Sequence, residues 1–164
     1  MVKSDRTLWL VAGLLFLALI AVVIYKVWPQ LNPELALVAP LDHECDLRDG
    51  PCVSSLPGGS KISFSIEPRT IPLVETLQLG VEVDGLSANR VEVDFVGIGM
   101  KMGFNRSKLQ AAGAGRFSGR GVLPVCIRDA MEWEARVLVH TDKGVIAAPF
   151  RFITVKQGVA LPVQ

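Results

Sequence analysis

Met100 and Met102, set one residue apart, are the pair in this chain best suited to chemistry. In an extended segment residues two apart face the same side, so both thioethers point one way. Soft, neutral sulfur donors of this kind select copper(I) among biological metals. Two of them make a sparse site, and a third donor is expected from Cys126 or from Met131, which stands just ahead of Trp133. The two choices differ in chemistry. A thiolate binds more tightly as pH rises toward the thiol's pKa, whereas a thioether does not titrate. Against the metal reading stands plain packing, since methionine fills irregular gaps at the margin of many cores.

Three cysteines are present: Cys45, Cys52 and Cys126. In an oxidising compartment Cys45 and Cys52 are close enough in sequence to close a small ring. A ring of about eight residues stabilises by roughly 2.5 kcal/mol in the loop-entropy account. Cys126 is then the odd thiol: buried, a metal donor, or an alternative partner for Cys45 or Cys52. Only two histidines exist, His43 and His140, and His140 falls on the outward phase of its strand. Serine-hydrolase, P-loop, dinucleotide and zinc-protease patterns are absent, so the chain reads as a non-enzyme.

The elements that must hold these residues are strands. Ile62, Phe64 and Ile66 alternate with polar neighbours, as do Leu77, Leu79, Val81 and Val83. Val91, Val93 and Phe95 repeat the pattern, and so do Trp133, Ala135, Val137 and Val139. A period of two marks strands with one face buried and one wet. Asp84-Gly85 and Asp142-Lys143-Gly144 turn the chain. Weaker strands are expected over 103–110 and 115–123, and Ala148, Phe150 and Phe152 supply a last inward face. About seven short strands without an amphipathic helix predict an all-β, immunoglobulin-like antiparallel sandwich over 60–156. Five prolines between Pro29 and Pro57, closed by Gly58-Gly59, make 29–59 an extended linker carrying the Cys45–Cys52 pair. Residues 157–164 read as a tail.

Ahead of the linker the chain changes character. From Leu8 to Tyr25 every residue is apolar or glycine. Roughly 18 such residues make a helix of about 27 Å, near the thickness of a bilayer's hydrocarbon. Trp9, Tyr25 and Trp28 stand near its ends, where amphipathic rings favour the headgroups. A cleavable signal has a shorter apolar run and a small-x-small cleavage site. The flank Lys26-Val27-Trp28-Pro29-Gln30 has no such site, so 1–28 reads as a cytoplasmic N-terminus and an uncleaved anchor. Lys3 and Arg6 ahead of the span, against Lys26 behind it, orient the remainder outside the cytoplasm. Overall charge is nearly balanced, with 17 Lys and Arg against 16 Asp and Glu, which gives no reason to expect nucleic acid.

The run Gly97-Ile98-Gly99-Met100-Lys101-Met102-Gly103, then Gly115-Arg116-Phe117-Ser118-Gly119, Leu123-Pro124-Val125-Cys126, Glu132-Trp133-Glu134 and Pro149-Phe150-Arg151-Phe152 is similar to the YtkA-like and FixH-like periplasmic domains. The resemblance covers about 60 to 90 residues. It implies an immunoglobulin-like sandwich on a membrane anchor, with roles around copper supply and cytochrome oxidase assembly. A respiratory oxidase or a copper chaperone would then be the partner. Met100 and Met102 match the family's metal-associated segment, while the histidine that often accompanies it is replaced here by Gly103-Phe104-Asn105. The other expectation is a non-metal interaction module, docking a membrane or periplasmic partner through a sheet edge or the basic stretch Arg106, Lys108, Arg116 and Arg120.

The anchor reading makes a direct prediction. Alkaline carbonate extraction leaves the protein in the membrane pellet, and protease added to spheroplasts digests the C-terminal domain. Release into the soluble fraction, or a protected C-terminus, contradicts it.

Overall fold

The computed structural model describes residues 2–31, 35–100, 102–125, 128–156 and 158–159. The chain forms two compact units, residues 1–34 and 35–164, taken here one at a time. In the first, α1 runs Val2–Leu31. Its segment Thr7–Pro29 has a mean hydropathy of 2.8 and no buried residue, and it is long and apolar enough to cross a membrane. Apolar residues cover every side of the helix, as expected where the surroundings are themselves apolar. Pro29 stands in the last turn and the helix ends at Leu31.

The second unit is all strand. β1 spans Leu35–Val38, β2 Cys52–Ser55, β3 Lys61–Glu67, β4 Thr76–Asp84 and β5 Arg90–Gly97. β6 follows at Arg106–Gly113, β7 at Arg116–Val122, β8 at Ala130–Thr141 and β9 at Gly144–Val155. They form one sheet in the order β1-β9-β8-β5-β6-β7-β4-β3-β2. Every pairing is antiparallel except β1 with β9. β6 makes the corner. Arg106 to Leu109 pair with β5, and Gln110 to Gly113 pair with β7, across a register shift between Ala111 and Gly113. A strand that changes partners partway turns a sheet through an angle. The result is a half-barrel.

Its interior holds the alternating residues. Trp133, Phe64, Phe95, Ile62, Ile66, Leu77 and Leu79 are fully buried. Phe64 of β3 lies 5.4 Å from Phe150 of β9, centroid to centroid, although five strands separate β3 from β9 in the sheet order. Phe95 meets Phe152 edge-on at 6.3 Å. The indole N–H of Trp133 donates to Thr154 Oγ1 at 2.9 Å, so the largest core side chain has its one polar group satisfied.

Two boundaries differ from the sequence reading. Among the described residues nine strands replace the expected seven or so, because 35–59 is not a tether. β1 joins the sheet beside β9, and β2 joins it beside β3. Ala39, Leu47, Cys52 and Leu56 are buried. Pro40, Pro51 and Pro57 stand at turns and strand margins, which sequence alone cannot tell from an unfolded spacer. Cys45 and Cys52 are joined as a disulfide. Of the expected tail, only 158–159 belong to the described residues.

Replacing Thr154 by valine keeps shape and removes the acceptor of the buried indole N–H. The predicted cost is about 1–3 kcal/mol of stability, with an unchanged far-ultraviolet spectrum, read by denaturant titration followed by circular dichroism.

Candidate functional site

Antiparallel topology sorts the connections to two ends. The start of β1 shares one end with the β2–β3, β4–β5, β6–β7 and β8–β9 turns. The opposite end gathers 39–51, 68–75, the described residues of 98–105, 123–125, 128–129 and the end of β9. β8 and β9 run 12 residues each, so at about 3.3 Å per residue the two ends lie roughly 40 Å apart. Met100, Met102, Met131 and the disulfide all belong to the end farthest from where the chain enters the domain.

Segment 98–105 is fastened at both ends. The Ile98 N–H donates to the Glu132 carbonyl at 2.9 Å, and the Phe95 N–H to the Asn105 carbonyl at 2.9 Å. Asn105 Nδ2 donates to the Val122 carbonyl at 3.0 Å. Arg106, first residue of β6, is nearly buried. It donates to Asp94 Oδ2 at 2.9 Å, lies 4.0 Å from Glu92 Oε2, and holds its guanidinium 5.0 Å from the centre of the Phe104 ring. Glu92 also accepts from His140 Nε2 at 3.1 Å and faces Arg90. His140 therefore sits on the outward face as expected, but within a buried ionic row.

Between these fastenings the side chains of Met102 and Met131 and the backbone of Met100 close on Gly97. Gly97 pairs with Trp133 at the end of β5, on the inward face, with Met131 two residues before Trp133 along β8. A Cβ built on Gly97 would stand 2.3 Å from Met131 Cε, 2.9 Å from Met102 Cγ and 2.8 Å from the Met100 carbonyl oxygen. Those are sub-van der Waals separations, and only the bare Cα of glycine leaves the space. Met131 is buried, and Met100 and Met102 are partly buried against the core. Met100 and Met102 line one depression of about 590 Å³ together with Val96, Gly97, Gly99 and Gly103. No carboxylate or imidazole belongs to that lining. The Arg128 guanidinium stands beside Gly99, Nη1 3.8 Å from the place of its absent Cβ.

The other expected donor, Cys126, lies outside the described residues. Met131 is brought to the methionine segment, as one of the two alternatives required. Gly97 escaped the sequence reading, although a glycine closing a strand of Val-Glu-Val-Asp-Phe-Val is the mark of a close approach. Among the described residues no group of three His, Cys, Asp or Glu is arranged to hold an ion. His43 lines a separate small polar cleft with Asp42, Cys45, Asp46, Glu132 and Arg151.

The same end carries exposed apolar residues. Phe104, Val122, Val125 and Val74 are all solvent-facing. They adjoin one another through the Asn105–Val122 bond and the Val74 N–H to Leu123 carbonyl bond at 2.8 Å. Val74 and Ile71 both have positive φ, 64° and 47°. That is an unfavourable backbone region for β-branched residues. Of the basic stretch, Lys108, Arg116 and Arg120 are exposed, whereas Arg106 pairs with the buried carboxylates Glu92 and Asp94. Comparison with protein-family models, curated proteins and solved structures finds no match.

Arg106→Ala should destabilise the domain by roughly 3 kcal/mol, because Asp94 and Glu92 lose a buried counter-charge. Arg116→Ala, at an exposed site, should stay within about 0.5 kcal/mol. Paired denaturant titrations read the difference, and equal effects would show Arg106 to be an ordinary surface residue.

Proposed function

We propose that this chain is a membrane-anchored accessory protein whose periplasmic domain handles copper(I), in the service of cytochrome oxidase assembly. The observation that carries the reading is the lining of one depression by Met100 and Met102 with no hard donor beside them. Thioethers are the side chains that prefer copper(I) to the commoner divalent ions. The resemblance to YtkA-like and FixH-like domains supports the oxidase role. The Cys45–Cys52 disulfide supports a domain in an oxidising compartment, and the charge bias around α1 supports an N-terminus in the cytoplasm and an uncleaved anchor in the inner membrane. In this reading the curled sheet is an elaborated immunoglobulin-like sandwich, β9-β8-β5 facing β7-β4-β3 with β6 shared at the corner.

A second reading rests on the exposed arc of Phe104, Val122, Val125 and Val74. Contiguous apolar surface of this sort marks docking sites, and it makes the domain an interaction module that binds no metal.

The full-length protein in detergent decides between them. It is titrated anaerobically against a copper(I) chelator, with ascorbate present, beside Met100→Leu/Met102→Leu and Cys126→Ser. Leucine keeps size and apolarity, so folding is preserved while two sulfurs are removed. The double variant is expected to lose at least about tenfold in affinity, or about 1.4 kcal/mol. Equal competition by all three proteins, or competition by none, removes the copper reading and leaves the docking module.

A further inference from the structure

We infer that Met131 completes a three-thioether site for a soft monovalent cation, copper(I), and that Gly97 is the positioning residue whose missing side chain lets the Met131 and Met102 stems approach beside the depression that Met100 and Met102 line. The inference rests on the copper reading above and names the donor which that reading leaves open. Met100 and Met102 come from the connection after β5, and Met131 comes from the adjacent strand β8. They are separated by about 30 residues of chain, yet Met131 Cε and Met102 Cγ both lie within 3 Å of the one point where a Gly97 Cβ would stand. In each side chain the sulfur is the next atom along. The Met100 carbonyl oxygen is 2.8 Å from the same point, so the Met100 backbone is folded over it as well.

Three properties fit a soft cation. The donors are neutral: Met131 is buried beside Gly97, and among the described residues the depression's lining supplies no carboxylate, imidazole or hydroxyl to replace the hydration shell of a hard divalent ion. The nearby guanidinium of Arg128 opposes binding by charge alone, so an ion held here is held by sulfur. The supports are stiff on both sides: Ile98 is bonded to the Glu132 carbonyl next to Met131, and Trp133 beyond it is locked to Thr154. Pre-organised donors on fixed backbone, carried by flexible thioether stems, suit a cation that accepts low coordination numbers.

Sulfur counting by copper K-edge X-ray absorption on the copper(I)-loaded full-length protein tests the assignment, together with the chelator competition. Wild type and Cys126→Ser are both expected to show three sulfur scatterers, and Met131→Leu two, with affinity reduced about tenfold or more. The chain has four methionines, and the one outside this cluster is Met1, ahead of α1. With Cys45 and Cys52 joined to each other, three sulfurs retained in Cys126→Ser identify Met131 even where Met131→Leu fails to fold, provided mass spectrometry shows the disulfide intact in the copper-loaded sample. Gly97→Ala should lower affinity similarly without altering any donor, because its Cβ would displace the Met131 methyl and the Met100 carbonyl, and circular dichroism checks that the variant is folded. A drop to two sulfurs in Cys126→Ser assigns the third donor to the thiol and overturns the inference while leaving the copper reading intact. Wild-type affinity in Met131→Leu, or a wild-type count of two sulfurs, overturns it in the same way. No copper(I) binding by the wild type removes both.

Discussion

Phe64 against Phe150 is the contact on which the shape of the domain depends. The rings come from strands near opposite ends of the sheet order, and they meet only because the sheet curls around its own interior. An aromatic pair adds about 0.5–1.5 kcal/mol beyond the area it buries. Its larger consequence is geometric. Curling brings the two edge strands toward each other, and Ser54 of β2 reaches to within 3.4 Å of the Pro40 carbonyl just after β1. Open edges invite pairing with other chains, and this fold blunts both by keeping them to four residues and folding the 39–51 connection across the gap. The Cys45–Cys52 disulfide fastens that connection to β2, with Leu47 buried beneath it.

The outward face of β5 and β8 adds a constraint that apolar packing does not. Glu92, Glu134, Arg106 and Asp94 are largely buried there, joined by Arg136, Arg151, Arg90 and His140. Buried ion pairs contribute little net stability, since desolvation offsets much of their attraction. They penalise error instead. A one-residue slip of β5 or β8 would carry these carboxylates into an interior made of Trp133, Phe95 and Val137. Register at the end of β5 is what sets Gly97 opposite Trp133, and hence what sets the methionines relative to one another.

The strands with clean alternation were legible in sequence. β3, β4, β5, β8 and β9 lie where Ile62, Leu77, Val91, Trp133 and Phe150 indicated, because one buried face imposes a period of two on composition. The apolar helix was legible for a simpler reason, uninterrupted hydrophobicity over its whole length. β1 and β2 were not, since four-residue strands are too short to show a period and the prolines around them, Pro40, Pro51 and Pro57, read as tether. The ionic row was hidden because an outward charge looks the same in sequence whether it is solvated or paired across strands. For the site, Met100 and Met102 were legible as a local motif. Their convergence with Met131 depends on β5 lying beside β8, a non-local pairing that no local pattern encodes.

That division of labour also fits what the loop end has to do. A thioether stem has three rotatable bonds and adapts to whatever it touches, so methionines alone would collapse onto the core or splay into water. Here the backbone beneath them removes most of that freedom. Segment 98–105 is bonded to β8 at Ile98, to β5 and to the end of β7 through Asn105, and clamped by Arg106 onto β5. Within it Gly99 and Gly103 take positive φ, 73° and 81°, so the chain reverses tightly enough to fold Met100 and Met102 back over Gly97. Any side chain at Gly97 would fill the space in which the stems meet. The same two features, pinned ends and a bare floor, hold the stems of Met102 and Met131 against one glycine.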